Sequence, residues 1–409
     1  MIQPYRSYSY LEAGRDYRDF QLAPELHRVP SLSVPLDPGQ QARAGEIKRK
    51  GTLVSIHDHP TVRPLHQSDF RNYRIEGREV TGYEGLSASS VDVVVDGMMA
   101  GAAFMTSRSG WKFADIVFDL GMRQCDVAHQ GELQVVRHHS DFGLIKQSGN
   151  TGIIFAIESA APIENELDRL DILFGLGVRV VGLTYNNANA LGSGLSEAND
   201  GGLTKFGRAA IKRMNQIGMV IDLSHTGERT SLEAIEASEN PVSLSHTGAR
   251  ALWDVPRLKS DEVLRACAER GGLIGITASP HTTVTSRSPR HCLDSVMAHF
   301  EHCANLVGID HVGFGPDTNF GDHVAWHREF AGGAVSFPDG IEPVEYVEGV
   351  ENPAEAFDNV LAWLLVHGYS DQEIERALGA NALQFFAAVW PDLSRPEQTA
   401  SIATDGTLC

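Results

Sequence analysis

The sequence predicts an α/β fold, a (β/α)8 barrel of the TIM type preceded by an N-terminal arm and followed by closing C-terminal helices. Short runs rich in Val, Ile and Leu recur eight times between Thr52 and Gly315, separated by segments of helical spacing or by polar loops. That alternation marks a parallel sheet built from strand-helix units. Two successive runs close on the same tripeptide, Val220-Ile221-Asp222-Leu223-Ser224-His225 and Pro241-Val242-Ser243-Leu244-Ser245-His246. Between them, Glu228 to Ser238 carries Leu232 and Ile235 among polar residues, so the unit reads strand, helix, strand. Barrels of this kind gather their chemistry at the carboxyl ends of the strands, and here two neighbouring strands both end on histidine.

In chain order, residues 1 to 50 are rich in Tyr, Pro, Arg and Gln with no sustained period, which predicts an extended arm lying on the domain or on a partner subunit. The first strand, Thr52 to Ile56, runs into His57-Asp58-His59-Pro60, where the proline is expected to end regular structure. Val91 to Val95 is the second strand and leads into a loop rich in Gly, Met and Ala. Asp115 to Gln147 reads as largely helical, broken at Gly121 or Gly131, and its His129, His138 and His139 read as surface residues because none ends an apolar run. The third strand, Gly152 to Ile157, stops at Glu158. A helix over Leu167 to Leu176 follows, with Gly177 placed to cap it.

The fourth strand, Val178 to Thr184, ends at Tyr185 and opens into a polar, glycine-rich loop before a helix over Lys205 to Ile217. The fifth and sixth strands end at His225 and His246. Ser260 is placed as the N-cap of the next helix, with Asp261 and Glu262 favourable in its first turn. Gly272 to Thr277 is the seventh strand, Cys292 to Leu306 its helix, and His311 to Gly315 the eighth strand, ending near Asp317. Asn319 to Val350 has little periodicity and suits either a lid over the mouth or a long surface loop. Two closing helices, Ala354 to His367 and Ser370 to Phe386, complete the domain, with Ser370 and Glu373 forming a capping box. The expected division is an arm at 1–50, a barrel at 51–390 and a polar tail at 391–409.

Composition narrows the function. The chain holds 34 Lys and Arg against 53 Asp and Glu, a formal net charge of −19, which argues against nucleic-acid or anionic-membrane partners. No apolar stretch approaches the ~20 residues of a membrane span, and the N-terminus shows no secretory h-region. The five cysteines, Cys125, Cys267, Cys292, Cys303 and Cys409, are scattered without a CxxC pair. They exclude a cysteine-rich zinc module and suit a reducing compartment, so the expected location is cytoplasmic and the expected partner a small-molecule substrate.

The strand ends carry the chemistry. In His57-x-His59 the side-chain period of an extended segment puts both imidazoles on one side, so they can hold one ion together. His225 and His246 would hold a second, and Glu158, with two oxygens, is suited to bridging the pair. Neutral imidazoles with a carboxylate favour zinc, while manganese, cobalt and iron also fit. Two such ions share a hydroxide near neutral pH and polarise a carbonyl oxygen. Asp317, in Gly315-Pro316-Asp317-Thr318, is placed to take the proton of water and return it to a leaving amine.

This ordered set, His57-Asp58-His59-Pro60, Ile157-Glu158, Leu183-Thr184-Tyr185-Asn186, the two Leu-Ser-His strand ends and Asp310-His311-Val312-Gly313-Phe314-Gly315-Pro316-Asp317, resembles the renal, or membrane, dipeptidase family of the amidohydrolase superfamily. The resemblance implies a distorted (β/α)8 barrel, two zinc ions bridged by a glutamate, hydrolysis of dipeptides including those with a C-terminal D-residue, and commonly a homodimer. It makes His57, Glu158, His225 and His246 metal ligands, Asp317 the acid/base residue, and Arg257 the holder of the substrate's terminal carboxylate. Two positions depart from the family. His59 stands where an aspartate is usual, which keeps ligation and removes one negative charge. Tyr185 stands where the family has a substrate-contacting histidine, so a shifted specificity is expected. The alternatives are another small amide, an N-acyl amino acid, a carbamate or a lactone, including substrates with an aromatic group, and, in a different class, a catalytically silent metabolite-binding barrel.

Overall fold

The structure, a computed structural model, describes residues 5–98, 112–331 and 344–391. Its strands are β1 (Val54–Val62), β2 (Val80–Thr81), β3 (Val93–Met98), β4 (Leu133–Val135), β5 (Thr151–Ile157), β6 (Val178–Gly182), β7 (Val220–Asp222), β8 (Ser243–Thr247), β9 (Leu273–Ile276), β10 (Val312–Phe314) and β11 (Asn319–Phe320). They form one curled, mixed sheet in the order β10-β9-β8-β7-β6-β5-β3-β1-β11, with β2 antiparallel on β1 and β4 parallel on β5. All eight expected strands are present, as β1, β3 and β5 to β10, and pair in parallel.

The strands read as unbroken apolar runs because both faces of the sheet are covered. Alternate residues of β3 and β5 go to opposite sides. Val94, Ile153, Phe155 and Ile157 pack with outer-helix residues such as Ile116, Leu120, Leu170 and Leu173. Val93, Val95, Ile154 and Ala156 pack with Val54, Ile56, Val180 and Val220, and with Phe385, Phe386 and Val389 of the C-terminal helix Asn381–Val389. A fully buried Phe contributes ~1.5–3 kcal/mol, so this helix is a substantial part of the inner core.

No ladder joins β10 to β1 among the described residues, so the sheet itself is open rather than the closed ring expected. The stretch 315–318 lies in the gap. Gly315 N donates to Ile276 O at 3.1 Å and Ala278 N to Pro316 O at 2.8 Å on one side; Asp317 N donates to His57 O at 3.1 Å and His59 N to Thr318 O at 2.9 Å on the other.

Several expectations need correction. β1 continues through Pro60 to Val62, because the missing N–H falls where the β1–β11 register shifts between His59 and Val62. The span from Asp115 to Gln147 is two helices, Phe113–Val127 and His139–Ser148, separated by β4, and Gly121 lies inside the first. Gln130 marks the break: its side chain donates to Val127 O and accepts from Leu133 N, turning the chain into β4. His129 and His139 are exposed, as expected.

The arm lies on the domain. The carboxylate of Asp126 collects Tyr8 N and Ser7 Oγ, both at 2.7 Å, and the hydroxyls of Tyr5 and Tyr83, both at 3.1 Å. Unexpectedly, the arm ends in a helix, Pro38–Lys50, opened by an Asp37–Gln40 capping box. The Ser260 cap and the Ser370–Glu373 box form as anticipated, but the last closing helix is split by a π-helical turn, Arg376–Ala380. There Gly379 lies so close to the chain that a Cβ would sit 1.7 Å from Thr52 O. The loop rich in Gly, Met and Ala falls mainly on 99–111, part of the proposed lid on 332–343, and the tail on 392–409; these lie outside the described residues. Among the described residues no helix is long and apolar enough to cross a membrane.

Candidate metal centre

Five strands deliver one buried cluster of six side chains. β1 carries His57 and His59, β8 carries His246, and Glu158, His225 and Asp317 lie just beyond β5, β7 and β10. All six are buried, as is Arg257 in the loop after β8, whereas Tyr185, beyond β6, is half-buried. The β1–β3 register shifts between Ser55 and Asp58, the kind of irregularity that re-aims side chains at a strand end. His57 fits only because residue 97 is glycine, since a Cβ there would sit 2.3 Å from its Cε1.

Two overlapping groups have ligand atoms within 4.8 Å of one another, His57, His59 and Asp317, and His57, Glu158 and His246. The partition differs from the expected one. His57 stands in both groups, Asp317 in one, and His225 in neither, although its Nε2 lies 3.5 Å from Glu158 Oε2 and 2.9 Å from His246 Nε2. His59 Nε2 is 3.0 Å from Asp317 Oδ1 and 3.6 Å from Glu158 Oε1. The His57 ring stacks on His246, with centroids 3.6 Å apart.

The hydrogen bonds behind these rings set what they present in front. His59 Nδ1 donates to the carbonyl oxygen of Gly97, which only accepts, while its Nε2 meets Asp317 Oδ1 at 3.0 Å; against burial, that bond and the charge of Glu158 raise the His59 pKa. His225 Nδ1 bonds to Asn186 Oδ1 at 3.0 Å, which turns an Nε2 lone pair inward. His57 Nε2 and Glu158 Oε1 are buried without a hydrogen-bond partner. Facing lone pairs and an orphaned carboxylate oxygen are unfavourable alone, but they are the donor set a divalent cation needs.

Ionisation agrees with that reading. Burial pulls His57 down to about 3 and His225 and His246 well below the usual imidazole range, so all three are neutral ligands at physiological pH. Burial also pushes Glu158 up to about 8. Asp317, which burial alone would raise, is instead held well below the usual range by the histidines around it, with His59 bonding it directly at 3.0 Å.

Asp58, the residue between the two β1 histidines, does not face the cluster. Its Oδ1 accepts from Thr318 N and Thr318 Oγ1, both at 2.7 Å, and its Oδ2 from Ser55 Oγ at 2.8 Å. It thereby anchors the turn in which Asp317 adopts a left-handed φ of 63°, a conformation a non-glycine residue holds only when its surroundings enforce it. His327 was not anticipated. It lies on the helix His323–Ala331, inside the region read as loop or lid, with Nε2 3.1 Å from Asp317 O and Nδ1 2.9 Å from Ser279 Oγ.

The Tyr185 ring stacks on His225 at 4.2 Å. Burial, then the charges of Glu158 and Asp317, hold its phenol well above the ordinary range, so it stays a neutral donor. Arg257 Nη2 lies 3.7 Å from Asp317 Oδ2 and has no hydrogen-bond partner, although Nη1 reaches Ser224 O at 3.5 Å.

A curled parallel sheet with imidazoles and carboxylates converging at its carboxyl end defines the class, a hydrolase that works through two divalent ions. Residues 119–398 match the family described as membrane dipeptidase, peptidase family M19, and the chain belongs to that family. It is 29% identical over 300 residues to dipeptidase verJ of Clonostachys rogersoniana, an alignment covering 73% of this chain and 68% of that protein. The fold is also that of an amidohydrolase from Pseudomonas aeruginosa, with a TM-score of 0.70 and 24% identity over 85% of this chain and 99% of the other. A Rhodobacter sphaeroides metallopeptidase, crystallised with a phosphinate mimic of the dipeptide L-Ala-D-Ala, superposes with a TM-score of 0.61 at 19% identity over 83% and 99% of the two chains.

Proposed function

We propose that this metal-dependent hydrolase cleaves the amide bond of a dipeptide, or of a dipeptide-like small molecule with a free carboxylate. The observation that carries the reading is the convergence of imidazole Nε2 atoms on Glu158 beside Asp317 and an under-bonded Arg257. His57, His59, Glu158, His225 and His246 would hold two ions, with Glu158 between them, and this donor set favours zinc. Bound there, the ions supply an activated water and polarise the scissile carbonyl.

Asp317 accepts the proton of the attacking water and returns it to the amine as the C–N bond breaks. Its strained turn, braced by Asp58, keeps the carboxylate aimed at both. Arg257 makes paired, charge-assisted bonds to the substrate carboxylate, for which Nη2 is available. Tyr185 donates its hydroxyl proton to the developing oxyanion. The Rhodobacter enzyme's dipeptide mimic supports a dipeptide-sized substrate. We also propose that the bonds made by 315–318 to both sides complete a (β/α)8 barrel, and that the enzyme is a homodimer or a higher homo-oligomer.

Tyr185 favours a second reading. Its ring, stacked on His225, offers an apolar wall where a histidine would offer a charge, which suits an aromatic or apolar acyl group. Rates of the metal-loaded enzyme on a panel of dipeptides, aromatic N-acyl amino acids and lactones decide between the two. Dipeptides outperforming every aromatic amide would remove the second reading, and inactivity on all amides would remove both.

A further inference from the structure

The two Leu-Ser-His strand ends share a sequence, yet their serines have no part in the proposed chemistry. The four residues Asp222, Ser224, Ser245 and His246 are all buried and linked in series. Asp222 Oδ1 accepts from Ser245 N at 2.7 Å and from Ser224 Oγ at 2.8 Å. Ser224 Oγ also lies 3.0 Å from His246 N and 3.2 Å from Ser245 Oγ. Ser245 Oγ in turn lies 2.7 Å from His246 Nδ1.

Each hydroxyl has one proton, which leaves two directions for the chain, since Ser245 can give its proton either to Ser224 Oγ or to His246 Nδ1. Oδ1 of Asp222 receives the Ser245 N–H, so it acts as an acceptor, and the Ser224 proton points to it. Ser224 Oγ can then only accept, and it does so from His246 N–H. In the direction that sends the Ser245 proton to Ser224, Ser245 Oγ accepts from His246, which then carries its proton on Nδ1 and leaves Nε2 free for an ion.

We propose that Asp222, Ser224 and Ser245 form a hydrogen-bond relay that sets the tautomer of His246 and so turns its Nε2 lone pair toward the metal centre. They are positioning residues, acting through His246. His225 uses a different device, the single bond to Asn186, so the repeated tripeptide serves one histidine by the serines of both strands. The metal consequence rests on reading His246 as a ligand; the tautomer does not.

Two measurements test the relay. In metal-free protein labelled with 15N-histidine, the His246 resonances, identified by their loss in His246→Gln, are expected to show the Nδ1–H form, and Ser245→Ala to shift them toward the Nε2–H form. An Nε2–H form in the unmodified protein overturns the proposal, whether or not any ion binds. In chelator competition, Ser245→Ala is expected to weaken zinc binding by about 10- to 100-fold, the usual effect of losing a partner behind a ligand. Ser245→Thr, which keeps a hydroxyl, is expected to stay within a few fold, and Ser224→Ala to fall between. Unchanged zinc affinity in both alanine variants refutes the coupling to the metal centre, while failure of the unmodified protein to bind zinc refutes the ligand assignment and leaves the resonance result to judge the relay.

Discussion

The molecule buries two clusters of charged and titratable side chains, and they are built in opposite ways. Beside β2 and β3, Arg63, Arg74 and Arg123 interleave with Glu79, Asp96 and Asp119. Arg63 meets Glu79 at 2.6 Å, Arg123 meets Glu79 at 3.2 Å, Arg74 meets Asp119 at 2.8 Å, and Arg74–Glu79 and Arg123–Asp96 complete the web. Three cations answer three anions. At the mouth, two carboxylates and four imidazoles face one another with Arg257 at the margin. Each member of the first cluster finds its counter-charge in the chain, so that cluster braces the fold. The second gathers acceptors with too few donors, and only a cation from outside completes it.

The sharpest test of that contrast is Glu158→Gln. The unmodified enzyme with zinc is expected to hold two ions per chain and to lose activity on chelation. The variant is expected to lose an ion and to fall in kcat by more than the ~10²- to 10³-fold attributable to a single oxyanion donor. Full activity with one ion per chain, measured by elemental analysis beside the rate, would sink the two-ion assignment.

Arg123→Met probes the other cluster. It leaves Asp96 buried without its cation and is expected to lower folding stability by ~3–5 kcal/mol in urea melts, with ion content unchanged. Loss of ions at unaltered stability would break the distinction between brace and site.

Within the mouth, Tyr185→Phe removes only a hydroxyl. A drop on the order of 10²-fold in kcat on the best substrate is expected, and Tyr185→His is expected to shift preference toward small dipeptides. An unchanged kcat in the Phe variant would leave the tyrosine a packing residue. The mildest expected change is Arg257→Lys, about 10- to 100-fold in kcat/KM on a free carboxylate, as the loss of a charge-assisted bond implies. A matched substrate amidated at that carboxylate should show no such loss; an equal loss on both would make the arginine structural.

What could be read in advance follows the physics of each region. The eight parallel strands were legible because burial on both faces leaves apolar runs, and their ends named His57, His59, Glu158, His225, His246 and Asp317. The helix Pro38–Lys50 escaped because it buries only Ile47 and so shows no apolar stripe; Asp37, Pro38 and Gln40 were the available signal. β4 is short, with only Leu133 buried, and carries no pattern of its own. His327 was hidden because it lies in a stretch of little periodicity, and nothing in the sequence marks its bonds to Asp317 and to Ser279, 10 and 48 residues before it. Which imidazoles share an ion depends on three-dimensional approach, and here His57 stands in both groups while the spacing of His57 and His59 suggested a simple pair.

Asp317 sits in the stretch that spans the gap between the two ends of the sheet, its amide bonded to His57 O. The residues that span the gap in the sheet are therefore the ones expected to arm the site. A growing chain that has made His57, His59, Glu158, His225 and His246 still lacks Asp317 and the turn presenting it until 315–320 is synthesised and docked, and its inner core still awaits the helix Asn381–Val389. In the mature enzyme the same coupling makes the Asp317 amide a gauge: its rate of hydrogen exchange reports each opening of the gap, and each opening disarms the enzyme.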